Sequence, residues 1–171
     1  MAGDKKGGNG EARSKRMVDL LNAARGTPLG QFPVPPFTKW LNCKVLSAER
    51  GRVELELEVR PEMANPTGLL HGGVQCAAMD DAIGIASATL GAGGFLLSLT
   101  LHVDYLGRVE VGQRVRVVGQ ITREGRRVVH ARAEIVDVEG NLVASASSNL
   151  LRTTRAPEYA GRLDEFEAHS R

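Results

Sequence analysis

Two groups in one short segment have the chemistry to act on a polarised carbonyl: the backbone amide of Gly72 and the carboxylate of Asp80. His71, Gly72 and Gly73 open an alanine-rich apolar run that Gly91 ends, so the pattern predicts a helix from Gly72 to just before Gly91. The first amides of a helix lack partners within it and lie at the positive end of its dipole. They therefore bind an anion, or an oxygen that becomes anionic during a reaction.

The spacing between Gly72 and Asp80 constrains the assembly. Eight helical residues rise about 12 Å, so one helix cannot place both groups on the same small carbonyl. Two antiparallel copies can do so, if each lends its carboxylate to the helix start of the other. We therefore expect a homodimer or homotetramer with shared active sites. Asp81 lies about 100° further around the helix and is interpreted as structural.

The residues around this helix resemble the PaaI-type acyl-CoA thioesterases of the hotdog-fold superfamily. The resemblance spans roughly residues 37–153, and it is carried by Asn65, Gly68, His71-Gly72-Gly73, Asp80 and the extended segment that starts at Ser98. It implies an α+β hotdog fold, in which an antiparallel sheet wraps around a long central helix. The expected organisation is a flexible extension with a short helix at 1–36, a thioesterase domain at 37–154 and a tail at 155–171.

The resemblance also implies an activity and a set of roles. The substrate would be an acyl- or aryl-CoA thioester, hydrolysed to the free acid and CoA without a further cofactor or a metal. The Gly72 amide would polarise the carbonyl, and the Asn65 side chain would assist it, unless Asn65 only forms a turn before Pro66. Asp80 would attack directly to give an anhydride, or activate water as a general base. Ser98 would hold the water or the carboxylate.

Four further residues are candidates with less specific roles. His71 either orients the helix start, contacts the thioester or caps the helix. Gly73 leaves room for substrate beside the backbone. Arg108 and Arg152, near strand ends, would bind the phosphates of coenzyme A, although a solvated surface position is the simpler interpretation.

Two strands are predicted before the helix and four after it, from alternation in 52–60 and 95–106 and from turn signals between the later segments. The predicted strands cover 37–47, 52–60, 95–106, 113–122, 127–138 and 142–153, and a short helix is expected from about Ser14. In the segment 95–106, Leu97 and Leu99 are predicted to share one face, and Ser98 and His102 the other. The order of the strands follows from the resemblance alone.

Composition argues against several other classes of protein. The net charge of +2 over 171 residues does not favour nucleic-acid binding. No apolar run reaches the length of a membrane span, and two cysteines without metal spacing indicate reduced, buried thiols in a cytoplasmic protein. The sequence contains no G-x-S-x-G motif, which argues against a serine hydrolase. The remaining alternatives are a hotdog hydratase or dehydratase that acts on the acyl chain, and a non-enzymatic acyl-CoA-binding protein.

Overall fold

One long helix lies across a six-stranded antiparallel sheet, in a computed structural model that describes residues 5–155 and the side chains from residue 9 onward. The helices are α1 (Lys5–Ala23), α2 (Pro36–Leu41) and α3 (Gly72–Ala88), with single 3-10 turns at Leu29–Gln31 and Pro61–Met63. The strands are β1 (Lys44–Glu49), β2 (Arg52–Glu58), β3 (Leu96–Tyr105), β4 (Arg114–Glu124), β5 (Val128–Val136) and β6 (Leu142–Arg152). None of the described helices combines the length and the apolar character needed to cross a membrane. Apart from Arg155, the predicted tail lies outside the described residues.

The strands are arranged in the order β1-β2-β4-β5-β6-β3, and each neighbouring pair is antiparallel. The chain therefore crosses from α3 to the far edge of the sheet, where β3 pairs with β6 on one side only. The predicted antiparallel sheet around a central helix is confirmed. Its β3 edge is free in the described part of the chain.

Helix α3 packs on the inner face of the sheet, most closely against β4. Its buried apolar residues are Ala78, Met79, Ala82, Ile83 and Ala86. Gly119 on β4 permits this approach, because a Cβ added there would lie only 2.4 Å from the carbonyl oxygen of Ala82. The small residues on both elements thus let the helix backbone lie against the strand.

The segment before β1 differs from the prediction, because its first part is helical. Pro36 occupies the first turn of α2, where its fixed φ angle favours a helix and its missing N–H costs nothing. Thr38 and Leu41 are buried, three residues apart, which is helical rather than strand spacing. Asn42 ends the helix with a φ of 57°, and β1 begins at Lys44. The predicted strand at 37–47 is therefore wrong over its first half.

Helix α1 begins at Lys5, well before the predicted start at Ser14. Ser14 does not cap a helix; its hydroxyl donates to the carbonyl oxygen of Thr89 at 2.6 Å. Gly10 packs against Gly91, where an added Cβ would lie 2.1 Å from the Gly10 oxygen. These long-range contacts at the end of α3 offset the low helix propensity of the glycines in α1.

A bulge between Ser98 and Thr100 interrupts the alternation of β3. Ser98 is paired with Leu150, which is buried on the inner face, whereas His102 is paired with the exposed Ser147. Since antiparallel partners point to the same side of a sheet, Ser98 faces α3 and His102 faces away from it. The prediction that the two share a face is wrong, because the extra residue in the bulge reverses the alternation between them.

Candidate active site

The start of α3 leaves one backbone donor available. Gly72 is the first helical residue, and its N–H has no hydrogen-bond partner among the described residues. The next amide, that of Gly73, donates to Nδ1 of His71 at 2.9 Å, so His71 caps the helix. Because Nδ1 accepts this bond, a neutral His71 ring carries its proton on Nε2. The predicted oxyanion donor, the Gly72 amide, is thus unoccupied at an exposed helix start.

Asn65 forms a turn and still keeps a donor. Its Oδ1 accepts hydrogen bonds from the Thr67 amide at 2.9 Å, the Thr67 hydroxyl at 2.7 Å and the Leu69 amide at 3.2 Å. These three donors fix which side-chain atom is the oxygen. The Nδ2 group of Asn65 has no partner within residues 5–155 and remains free to donate. The turn and the catalytic role are therefore compatible in one residue.

Tyr105 closes one side of the helix start. A Cβ added to Gly72 would lie 3.2 Å from the Tyr105 ring. The Tyr105 hydroxyl donates to the Gly72 carbonyl at 3.2 Å and lies 2.9 Å from the sulfur of Cys76. The contact with Cys76 raises the pKa of Tyr105 above its ordinary value. The sequence did not indicate this contact, and Cys76, which was predicted to be buried, is half-buried. The four-residue spacing of Gly72, Cys76 and Asp80 is the signal that these three positions share a helix face.

Asp80 and Ser98 are brought together by the bulge in β3. Ser98 Oγ donates to Oδ1 of Asp80 at 3.0 Å, so the serine holds one carboxylate oxygen. The other oxygen, Oδ2, makes no hydrogen bond to any described residue. Asp80 is exposed in the protomer rather than buried, as its position in an apolar helix had suggested. A held carboxylate with one free oxygen can accept a proton from water or attack an electrophile.

The neighbouring carboxylate, Asp81, lies in a different environment. The Thr38 hydroxyl donates to its Oδ1 at 2.8 Å and so joins α2 to α3. Its Oδ2 is buried without a partner among the described residues. Burial raises the pKa of Asp81 to about 6, the Thr38 bond opposes this shift, and the Asp80 charge adds to it. These contacts support the structural role predicted for Asp81.

The two candidate arginines lie in different places. Arg152 is paired with Glu124 at 2.6 Å, and its Nε donates to the Gly125 carbonyl at the β4–β5 turn. Arg108 is exposed in the loop after β3, and its neighbour Val109 accepts a 2.8 Å hydrogen bond from the Leu70 amide just before α3. The hydrogen bond between Leu70 and Val109 therefore places Arg108 nearer to the start of α3 than Arg152. A role in binding phosphate stays a prediction for both.

The candidate residues of one protomer form two separate groups, which are called half-sites below. The helix-start half-site consists of the Gly72 amide and the Asn65 Nδ2 group, beside the His71 cap. The carboxylate half-site consists of Asp80 and Ser98. Eight helical residues, about 12 Å, separate Gly72 from Asp80 within the chain. In the described part of the chain, no group of three or more His, Cys, Asp or Glu side chains is arranged to hold a metal ion.

Comparison with known proteins identifies the family. The sequence profile of the thioesterase superfamily matches residues 67–144. A Saccharolobus solfataricus protein, named provisionally as an esterase, is 30% identical over 117 residues, which are 67% of this chain and 83% of that protein. Mouse acyl-coenzyme A thioesterase 13 is 24% identical over 115 residues, covering 66% of this chain and 82% of the relative.

A solved structure agrees with this assignment. A variant of the phenylacetic acid degradation protein PaaI from Thermus thermophilus superposes with a TM-score of 0.64 at 32% identity. The match covers 70% of this chain and 100% of that one. Together with the antiparallel sheet around α3, these similarities show that the chain belongs to the thioesterase superfamily, with the hotdog fold of its PaaI-type members.

Proposed function

We propose that this protein is an acyl-CoA thioesterase, which hydrolyses an acyl- or aryl-CoA thioester to the free acid and CoA. The observation that carries the proposal is the complementarity of the two half-sites. Unoccupied donors at the start of α3 suit a carbonyl oxygen, and the carboxylate that Ser98 holds suits the attack on its carbon. Membership of the superfamily and the name of the mouse relative support the same reaction.

The free edge of β3 favours a homodimer that joins the half-sites. Leu97, Leu99 and Tyr105 on this strand are each about half exposed, at 49%, 54% and 53%. A ten-residue edge strand with exposed apolar side chains is a template for pairing with another chain. Isologous pairing of two β3 edges would set the α3 helices side by side and antiparallel. Each helix start would then face the Asp80 of the other protomer.

The chemistry uses both protomers at each site. The thioester carbonyl accepts hydrogen bonds from the Gly72 amide and from Asn65 Nδ2, and these bonds strengthen as the oxygen becomes an oxyanion. The partner's Asp80 removes a proton from water, whose hydroxide adds to the carbonyl carbon. Collapse of the tetrahedral intermediate breaks the C–S bond, and the proton passes to the CoA sulfur. In the alternative course, the carboxylate itself displaces CoA and the resulting anhydride is hydrolysed.

A thiol-release assay on a panel of acyl- and aryl-CoAs tests this function. Hydrolysis releases free CoA thiol, whereas hydration of an enoyl-CoA or simple binding does not. We expect thiol release that depends on enzyme concentration for at least one member of the panel, and release slower by roughly 10²-fold or more from an Asp80→Asn protein. Binding of acyl-CoA without thiol release, or loss of an enoyl double bond instead, would contradict the proposal.

A further inference from the structure

The peptide group between the first two residues of α3 is held at both ends by side chains. Its N–H, on Gly73, donates to Nδ1 of His71 at 2.9 Å. Its carbonyl oxygen, on Gly72, accepts a 3.2 Å hydrogen bond from the Tyr105 hydroxyl. A carbonyl oxygen has two lone pairs, so this bond is compatible with the regular helical bond from the amide four residues further on. The orientation of this peptide group therefore depends on the residue before the helix and on a residue of β3.

The two glycines make such support necessary. Without a Cβ, Gly72 and Gly73 can adopt a wide range of backbone conformations. Stabilisation of an oxyanion, in contrast, requires donors that are oriented before the charge develops. The N–H of Gly72, which is the available donor, belongs to the same residue as the carbonyl that Tyr105 holds. Fixing that carbonyl therefore limits rotation of the backbone at Gly72 and with it the direction of the donor.

Tyr105 is anchored on the side of the sheet that faces α3. It is the last residue of β3 and is paired with Ala144 of β6, which is buried on the inner face. Its ring lies so close to Gly72 that a Cβ added there would be 3.2 Å from Cε1 and Cζ. Because the Tyr105 proton is donated to the Gly72 oxygen, the thiol of Cys76 is the donor in the 2.9 Å contact between the two side chains. The Cys76 contact raises the pKa of Tyr105, so the hydroxyl stays protonated and able to donate.

We infer that Tyr105 is a positioning residue for the oxyanion donor, which it orients through the Gly72 carbonyl without touching the reacting atoms. This inference deepens the proposed function and rests on it. The direction of the Gly72 N–H matters most in the transition state, where the thioester oxygen becomes anionic, and less in the bound substrate. Loss of the bond from Tyr105 should therefore lower kcat and leave KM nearly unchanged.

The Tyr105→Phe variant tests the inference, because phenylalanine keeps the ring against Gly72 and removes only the hydroxyl. In thiol release from a good acyl-CoA substrate, kcat should fall by roughly 3–10-fold, the scale of one neutral hydrogen bond. Since Tyr105 is 53% exposed, the thermal midpoint should hold. Thr122→Val is the matched control, because it removes another exposed hydroxyl that donates to a backbone carbonyl at 3.2 Å, that of His130. This control should keep the kcat and KM of the wild type.

A spectroscopic measurement reports on the donor itself and needs no substrate. In protein made with isotope-labelled glycine, nuclear magnetic resonance detects the amides of Gly72 and Gly73. Both resonances should move in Tyr105→Phe, because the peptide group between these residues loses one of its two side-chain supports. They should stay in place in Thr122→Val.

Four results would overturn the inference. These are a wild-type kcat in Tyr105→Phe, a rise in KM without a fall in kcat, an equal loss in Thr122→Val, and glycine resonances that do not move in Tyr105→Phe. The failure of the proposed function has a different signature. A wild-type protein that releases no thiol from any acyl-CoA refutes the function and this inference together, whereas equal turnover in an active wild type and in Tyr105→Phe refutes the inference alone.

Discussion

Replacing Asp80 by asparagine tests the carboxylate half-site. Asparagine keeps the shape and can still accept the 3.0 Å hydrogen bond from Ser98, but it loses the charge and the basic oxygen. Loss of a general acid–base group lowers turnover by roughly 10²–10⁴-fold, or about 3–5 kcal/mol of transition-state stabilisation. Because Asp80 is exposed in the protomer, the free energy of unfolding should change by no more than about 0.5 kcal/mol.

Asp81→Asn is the matched control, since it is the same substitution one residue further along α3. Asp81 is directed to Thr38 rather than to Ser98, so this variant should keep most of its turnover. Both variants are compared by thiol release from a good acyl-CoA substrate, with folding and dimer formation verified by circular dichroism and sedimentation. The reasoning would be refuted by near wild-type turnover in a folded, dimeric Asp80→Asn protein, or by an equal loss in Asp81→Asn.

Three further predictions follow from the same contacts. Asn65→Asp keeps the Oδ1 acceptor of the turn but removes the Nδ2 donor, so turnover should fall by roughly 10²–10³-fold while the thermal midpoint holds; unchanged turnover would leave Asn65 a turn residue only. The pKa of Asp81 rises from 3.8 to about 6 on folding, so stability present below pH 4 is lost as the pH rises through 6. Between pH 5 and 8, the unfolding free energy of the wild type should therefore fall by about 1 kcal/mol more than that of Asp81→Asn in chemical denaturation, and parallel pH curves would exclude this linkage. Cys76 is midway between Gly72 and Asp80, so an antiparallel helix pair brings the two Cys76 thiols near the dimer axis. A short bismaleimide should therefore join the two protomers through Cys76, since the other cysteine, Cys43, is buried. Failure to cross-link a verified dimer would contradict this packing.

The elements that depend on local sequence could be predicted. Helix α3 begins at Gly72 as expected, because the glycine pair and the apolar run specify its start within a few residues. Strand β2 is likewise predicted by its own sequence, because apolar and charged residues alternate along it. Asp80 is a candidate because it is a carboxylate within the apolar run, and Asn65 because of the family resemblance; the two residues lie within sixteen positions of each other. These elements and residues could therefore be predicted without knowing which distant segments are in contact.

The predictions that were wrong or missing concern features that depend on contacts between distant segments. The bulge that turns Ser98 toward Asp80 is defined by the pairing of β3 with β6, about fifty residues away in sequence. Helix α2 is held by the bond from Thr38 to Asp81, a contact that the sequence of the segment 37–47 alone does not indicate. The contact between Tyr105 and Cys76 likewise joins β3 to α3 across 29 residues. Periodicity within one segment contains no information about such partners.

The central claim is that each active site combines the helix start of one protomer with the carboxylate of the other. Measuring the turnover of a mixture of two variants, each with low activity alone, tests this claim. Gly72→Val should lose roughly 10²-fold or more alone, because its side chain would meet the Tyr105 ring and obstruct the carbonyl. Asp80→Asn has low activity for the separate reason given above.

Random exchange of these chains makes about half of the dimers hybrid, and each hybrid keeps one intact site of two. The mixture should therefore recover about a quarter of wild-type turnover, a level that neither variant approaches alone. Hybrid formation is verified by native mass spectrometry before the thiol-release assay. Turnover that stays at the level of the parent variants, with hybrids present, would contradict a shared site.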